Sequence, residues 1–151
     1  MVDVKPLLRA ALPGDAVELT SVLLRSRSQA MPWLVSPHDE PSTRWRMQHV
    51  LLVERRVRVA HDADRVLGFA AATDTWLEQL YVDPEHQGQG VGRVLLEDAK
   101  RLRPDGLRLH VFTRNAHARR FYEVHGFQLV EQSDGHDNEG LEPGCTYAWT
   151  P

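Results

Sequence analysis

One stretch constrains this chain more than any other: Leu77 to Leu96, which reads LEQLYVDPEHQGQGVGRVLL. It opens on an apolar, strand-like run of Leu77, Leu80, Tyr81 and Val82. Asp83-Pro84 turns the chain, Gln87-Gly88-Gln89-Gly90-Val91-Gly92 follows, and a helical pattern begins. Glycine has no Cβ, so three glycines between a strand and a helix let a ligand come close to the backbone. The helix start adds unpaired N–H groups and the positive end of its dipole. Together these make an anion site suited to a pyrophosphate. A dinucleotide-binding loop would read G-x-G-x-x-G. Here the last position is Arg93 when read from Gly88 and Leu95 when read from Gly90. No Lys-Ser or Lys-Thr follows, which excludes a P-loop. On this motif alone, an ordinary glycine-rich loop before a helix stays open.

Length and composition set the frame. A chain of 151 residues suits one domain, residues 1–151, with a sizeable core. The net charge of −3 gives no general attraction to nucleic acid or membrane. No apolar run approaches the roughly 20 residues of a membrane span. The N-terminus shows no secretory signal pattern. The single cysteine, Cys145, fits a reducing cytoplasm and reads as a packed thiol. The eight histidines show no metal-binding spacing, so no metal is expected. The charge is uneven. From Phe121 onward there is no Lys or Arg, but there are six carboxylates: Glu123, Glu131, Asp134, Asp137, Glu139 and Glu142.

The remaining elements follow from periodicity. Val4 to Ala11 reads as a strand. Asp15 and Glu18 have capping-box spacing, ahead of a helix with Ala16, Leu19, Val22 and Leu23 inward, ending near Ser28. Met31 to Pro41 reads as a loop; its Met31, Trp33 and Leu34 either pack beneath it or wall an acceptor pocket. Ser42 or Thr43 is expected to cap a second helix with Trp45, Gln48, His49 and Leu52 on one face. Val57–His61 and Val66–Thr73 flank a hairpin signal at Asp62-Ala63-Asp64. In the strand Trp76 to Val82, alternation predicts a shared face for Trp76, Glu78, Leu80 and Val82. The following helix turns Val91, Leu95, Ala99 and Leu102 inward, with Glu97 and Arg101 outside. Leu107, Leu109 and Val111 form a strand, and Asn115 to His125 a short helix ended by Gly126. Gln128–Gln132 and Thr146–Thr150 read as final strands. The order βααβββαβαββ means an α/β fold: a mixed sheet with helices on both faces.

The short helix from Asn115 carries another motif, Asn115-x-x-Ala118-x-x-Phe121-Tyr122-x-x-x-Gly126-Phe127. Asn115 and Tyr122 stand seven apart, about two turns or roughly 10 Å along one helix face. A tyrosine on an apolar face is, taken alone, most often a core residue with a satisfied hydroxyl. With Gln87-x-x-Gly90-x-Gly92, however, this motif resembles the GNAT superfamily of acyl-CoA-dependent N-acyltransferases. The resemblance spans nearly the whole chain and is specific from about Leu77 to Phe127. It implies a mixed, mostly antiparallel sheet of about seven strands flanked by about four helices.

It also implies acetyl transfer from acetyl-CoA, as cosubstrate, to a primary amine, by direct attack through a tetrahedral intermediate. The N–H groups of Gln87, Gly88, Gln89, Gly90, Val91, Gly92 and Arg93 would take the pyrophosphate. Leu80, Tyr81 and Val82 would pair their backbone with the pantetheine arm, and Asn115 would touch its amides. A free N–H near Leu80 or Tyr81 would face the oxyanion. Tyr122 is the expected acid at the sulfur. Glu78 is the expected base, with partial burial raising its pKa; His110 or a water chain are its alternatives. The acidic C-terminal third points to a small, cationic amine acceptor, unless it is only a solvated hairpin. A protein lysine or N-terminus is the alternative acceptor, and a non-catalytic acyl-CoA sensor the alternative role. The family's habits admit a homodimer.

Overall fold

Runs of alternating apolar residues from Val57 to Val82 build the centre of a seven-stranded sheet. In a computed structural model, which describes residues 5–34, 39–63, 65–136 and 142–151, the strands are β1 (Leu7–Ala10), β2 (Arg56–Asp62), β3 (Arg65–Ala72), β4 (Trp76–Val82), β5 (Leu107–Phe112), β6 (Gln128–Ser133) and β7 (Gly144–Trp149). Their spatial order is β1-β2-β3-β4-β5-β7-β6. Every neighbouring pair is antiparallel except β4–β5, which is parallel. Helices α1 (Ala16–Ala30), α2 (Glu40–Arg46), α3 (Leu52–Glu54), α4 (Val91–Arg101) and α5 (Ala116–Val124) complete the fold. A π turn, Met47–Leu51, joins α2 to α3, so the described residues hold four α-helical stretches besides two short 3-10 turns. The α/β order and the mixed sheet agree with expectation.

Helices cover both faces of the sheet. On one face α4 and α5 bury Leu95, Leu96 and Tyr122 against Leu77, Leu109 and Tyr147. On the other, Leu19 and Leu23 of α1 and Met47 of the π turn pack on Val59, Phe69 and Ala71. Strand β3 is buried on both sides along nearly its whole length.

The sequence reading needs several corrections. The Asp15–Glu18 capping box does not form: the Asp15 carboxylate accepts the Leu12 N–H at 2.7 Å and clasps Arg9. Neither Ser42 nor Thr43 caps α2; Asp39 does, accepting the Ser42 N–H at 2.9 Å. The inward face of this helix carries Thr43 and Met47, while Trp45 is exposed and stacks on His49. Leu102, expected inward, is the C-cap of α4 and is 39% exposed. Val4 and Asp64, read as strand and turn residues, lie outside the described residues. The expected shared face of β4 is broken as well. Ala71 pairs with Gln79 but Ala72 with Leu77, so Glu78 is an extra residue, a β-bulge. The bulge restores Leu77, not Glu78, to the side of Leu80 and Val82.

A charged contact anchors α4. The buried Asp98 carboxylate accepts from Arg58 Nε of β2 at 2.9 Å and from Arg101 Nη2 at 2.8 Å. Burial pushes the Asp98 pKa up, but the hydrogen bonds from the two guanidiniums outweigh it, and the net shift is downward. A carboxylate lowered on folding stabilises the fold above its unfolded pKa of about 4. That contribution is lost as pH falls through the lower folded value. Asp98→Ala leaves Arg58 facing an uncompensated site and should cost about 3 kcal/mol in urea unfolding at neutral pH. The difference from the unmutated protein should shrink in acid.

Candidate active site

The site begins where two strands part. Strands β4 and β5 pair only at Trp76–Arg108 and Leu77–Leu109. Beyond Leu77, β4 has a neighbour on one side alone. The Asp83 N–H donates to the Leu67 carbonyl across β3–β4 at 2.8 Å. An antiparallel ladder alternates, so Tyr81 and Gln79, at steps of two, also turn their backbone groups to β3. Leu80 and Val82 therefore turn theirs into the gap. The Val82 carbonyl accepts there from Gln87 Nε2 at 3.3 Å.

A cavity of about 580 Å³ occupies the gap, a size suited to a small ligand. It is lined on the α4–α5 side by Leu80, Asn115, Ala118 and Tyr122. On the α1 side its wall includes Arg27, Met31, Gln79 and Tyr81. Strands β6 and β7 contribute Glu131 and Cys145 among others. The structure thus brings Glu78, Leu80, Tyr81, Asn115 and Tyr122 together, with His110. It sets the glycine loop apart, past Val82. Asn115 is the N-cap of α5, its Oδ1 accepting the Ala118 N–H at 3.2 Å.

Tyr122 is a buried residue whose ring meets Phe121 and Phe127 edge-on. Among the described residues no hydrogen bond engages its hydroxyl. Burial pushes its pKa well above the ordinary tyrosine value, and the nearby Tyr81 adds to the shift. The phenol is therefore a standing donor.

The loop after β4 is held from below. Asp83 accepts from both terminal nitrogens of Arg25 at 2.9 Å and from the Glu85 N–H at 3.0 Å. Gly88 and Gly90 then take left-handed conformations, φ +77° and +87°. None of the N–H groups from Gly88 to Arg93 donates to another backbone carbonyl among the described residues. These six amides are donors left open at the α4 N-terminus, suited to phosphate oxygens.

Glu78 is exposed, not partly buried as the sequence reading expected, because it stands at the bulge. Its Oε2 accepts from Arg55 Nε at 2.6 Å. His110 is exposed, stacks on Trp76, and its Nδ1 lies 3.1 Å from Thr146 Oγ1. The acidic C-terminal third divides. Glu142 pairs with Arg114, Glu123 accepts the Tyr147 hydroxyl, and Asp134 contacts His136. Glu131 lines the cavity, while Asp137 and Glu139 lie outside the described residues. Met31 does wall the cavity, and Trp33 packs edge-on against Phe112 beneath Arg114. Sequence reading missed Arg27 and Gln79. The spacing of Arg27, four before Met31 at the end of α1, was the available signal. Among the described residues, no cluster of three or more His, Cys, Asp or Glu could hold a metal ion, and no helix is long and apolar enough to cross a membrane.

Comparison with known proteins places the chain by family and fold. Residues 53–129 match the model of the acetyltransferase (GNAT) domain. The chain is 34% identical to the peptidyl-lysine N-acetyltransferase YjaB of Escherichia coli K12, over 86% of this chain and 87% of that one. The apo solution structure of E. coli YjaB superposes with a TM-score of 0.80, covering 97% and 98% of the two chains at 26% identity. The namesake from Salmonella typhimurium LT2 is 37% identical, but the match spans only 50% of this chain and 52% of the relative. The PaiA N-acetyltransferase of Thermoplasma acidophilum, solved with coenzyme A, shares the fold at a TM-score of 0.79 and 20% identity, over 98% of this chain and 100% of that one.

The loop geometry gives a direct check. A Cβ at Gly88 would meet no atom within 4 Å, so the cost of a side chain there is backbone strain alone. Gly88→Ala should lose about 1 kcal/mol of unfolding free energy. Gly88→Asn should lose less, since asparagine tolerates the left-handed region.

Proposed function

The chain belongs to the GNAT acetyltransferase family and is an acyl-CoA-dependent N-acyltransferase, and from that premise we propose that it acetylates the primary amine of a small molecule, using acetyl-CoA. The observation that carries the proposal is the gap between β4 and β5. It joins an unpaired peptide edge to an unpartnered, protonated phenol inside one cavity. A passive binder needs the edge but has no use for the phenol.

The residues present fit the coenzyme. The amides from Gly88 to Arg93, with Gln87 at their start, offer donors for two linked phosphates. The gap-facing peptide groups of Leu80 and Val82 have the spacing of a strand edge, suited to the amides of the pantetheine arm. Asn115 stands near them at the helix start. The bound thioester supplies an activated acyl carbon and a thiol leaving group. The Leu80 N–H, turned into the gap, can polarise the acyl oxygen; the Tyr81 N–H, which faces β3, cannot.

Protons then have to move. An alkylammonium has a pKa near 10, about that of lysine, and must be deprotonated before it attacks. Glu78, steered by Arg55, is the proposed acceptor of that proton, directly or through water. Tyr122 holds its own proton at the sulfur's side. A phenol is a weaker acid than a thiol, about 10 against about 8.5. Tyr122 therefore donates a hydrogen bond that follows the departing sulfur, with the amine as the final source of the proton.

A lysine side chain of a protein is the second reading. Its support is that the YjaB relatives are named peptidyl-lysine N-acetyltransferases. Thiol release from acetyl-CoA, measured against small amines and a lysine peptide side by side, tests the two. Turnover of the peptide alone would overturn the small-molecule proposal.

Tyr122→Phe should lower kcat on the order of 10²-fold, with little change in acetyl-CoA affinity. Because Tyr122 stays protonated below its raised pKa, kcat should show no tyrosine-dependent fall from about pH 7 to about pH 10. Glu78→Gln should lower kcat/KM for the amine.

A further inference from the structure

Among the described residues three buried side-chain polar atoms have no hydrogen-bond partner; one, Arg103 Nη2, lies away from the cavity, and the other two belong to its wall. Arg27 Nε and Gln79 Oε1 are shut off from solvent and have no hydrogen-bond partner. Both side chains line the cavity. Among the described residues the Arg27 side chain makes one polar contact, a long one from Nη2 to the Tyr81 hydroxyl at 3.4 Å, with the guanidinium 6.0 Å from the Tyr81 ring centre. Burying a donor or an acceptor without a partner is costly, most of all on a charged group. Unmet bonding on two side chains of one cavity wall leaves both free to turn toward a polar ligand in that cavity.

The coenzyme edge does not supply these partners. Gln79 and Arg27 stand on the α1 side of the cavity, whereas Leu80 faces α4 and α5. Nor does the protein supply a carboxylate for Arg27. Of the two lining carboxylates, Glu78 is held by Arg55, and Glu131 reaches the cavity from β6 across the gap, with no ion pair to Arg27. Among the described lining residues Arg27 is the sole Lys or Arg. A guanidinium presents parallel N–H groups that match a carboxylate in a two-pronged pair. The free Gln79 oxygen asks at the same time for an N–H.

We propose that Arg27 and Gln79 form the acceptor subsite, and that the acceptor is a small amine carrying a carboxylate, chemically an amino acid. This rests on the transferase reading above. Arg27 takes the carboxylate, and the Gln79 oxygen takes an N–H of the same molecule. The acceptor nitrogen forms its bond to the acyl carbon as the carbon–sulfur bond breaks. Of the two protons the ammonium loses, one ends on the thiol and one in solvent. The subsite makes the acceptor zwitterionic, which refines a reading based on the acidic C-terminal third alone.

The test uses matched amines: free amino acids, their methyl esters, and the amines left when the carboxylate is removed. The free amino acids should show the higher kcat/KM by roughly 10- to 100-fold, the usual worth of a hydrogen-bonded charge. Arg27→Gln should erase that preference by raising the acceptor KM, and Arg27→Lys should restore part of it. Gln79→Leu should weaken all amino acids alike. Calorimetry should find acetyl-CoA binding unchanged in Arg27→Gln, which shows the variant folded. Equal rates for acids, esters and amines, an equal loss for all three in Arg27→Gln, or a lysine peptide turned over best and indifferent to Arg27 would each overturn the proposal. Failure of acetyl-CoA to bind the unmutated protein would instead bring down the transferase reading beneath it.

Discussion

The site depends on two parallel strands that stop pairing too early. After Leu77–Leu109, β4 and β5 separate inside the sheet, where backbone groups are normally satisfied on both sides. Everything functional in the fold surrounds that separation. The helix α5 puts Tyr122 over it, the α4 loop lies at its far end, and α1 brings Arg27 to its other side. The bulge at Glu78 belongs to the same device. It reverses the alternation of β4, so that Leu77 closes the core while Gln79 and Tyr81 face α1.

The cavity therefore has two chemically different sides. Toward α4 and α5 stand apolar residues, a helix cap and a protonated phenol. Toward α1 stand a guanidinium and a carboxamide with unmet hydrogen-bonding capacity. On the proposed reading these sides belong to the two substrates, which meet only through the gap. Ion pairs hold the parts in register. Arg58–Asp98 ties α4 to β2, and Arg25–Asp83 ties α1 to the turn before the glycine loop. Neither pair lines the cavity, so both act on the site only by fixing what surrounds it.

Much of this was legible in the residues. The glycine-rich loop between a strand and a helix was read from the residues, and the structure adds that Gly88 and Gly90 are left-handed there. The order of strands and helices followed from periodicity. Asn115 and Tyr122 share a cavity, as their spacing suggested. What escaped was whatever depends on a partner distant in sequence. A bulge is defined by the register of two strands, so alternation read along β4 alone assigned Glu78 to the wrong side. The Arg55 contact of Glu78 spans 23 positions, and nothing local marks it. The caps of α1 and α2 failed for a different reason. Several residues near each helix start could serve, and tertiary contacts chose among them: Arg9 claimed Asp15, and Asp39 preceded Ser42. Arg27 looked like any polar residue near a helix end until its unpaired nitrogen met a cavity.

Amide hydrogen exchange, read residue by residue with and without coenzyme A, tests the central claim most directly. In the free protein, the amides of Gln79 and Tyr81 should be protected by β3, and those of Leu80 and Val82 should exchange fast. Coenzyme A should protect Leu80, Val82 and the amides from Gly88 to Arg93, and leave Gln79 and Tyr81 as they were. If Leu80 and Val82 are already protected without ligand, or if the coenzyme leaves them and the loop unchanged, the gap between β4 and β5 is not where the cosubstrate lies.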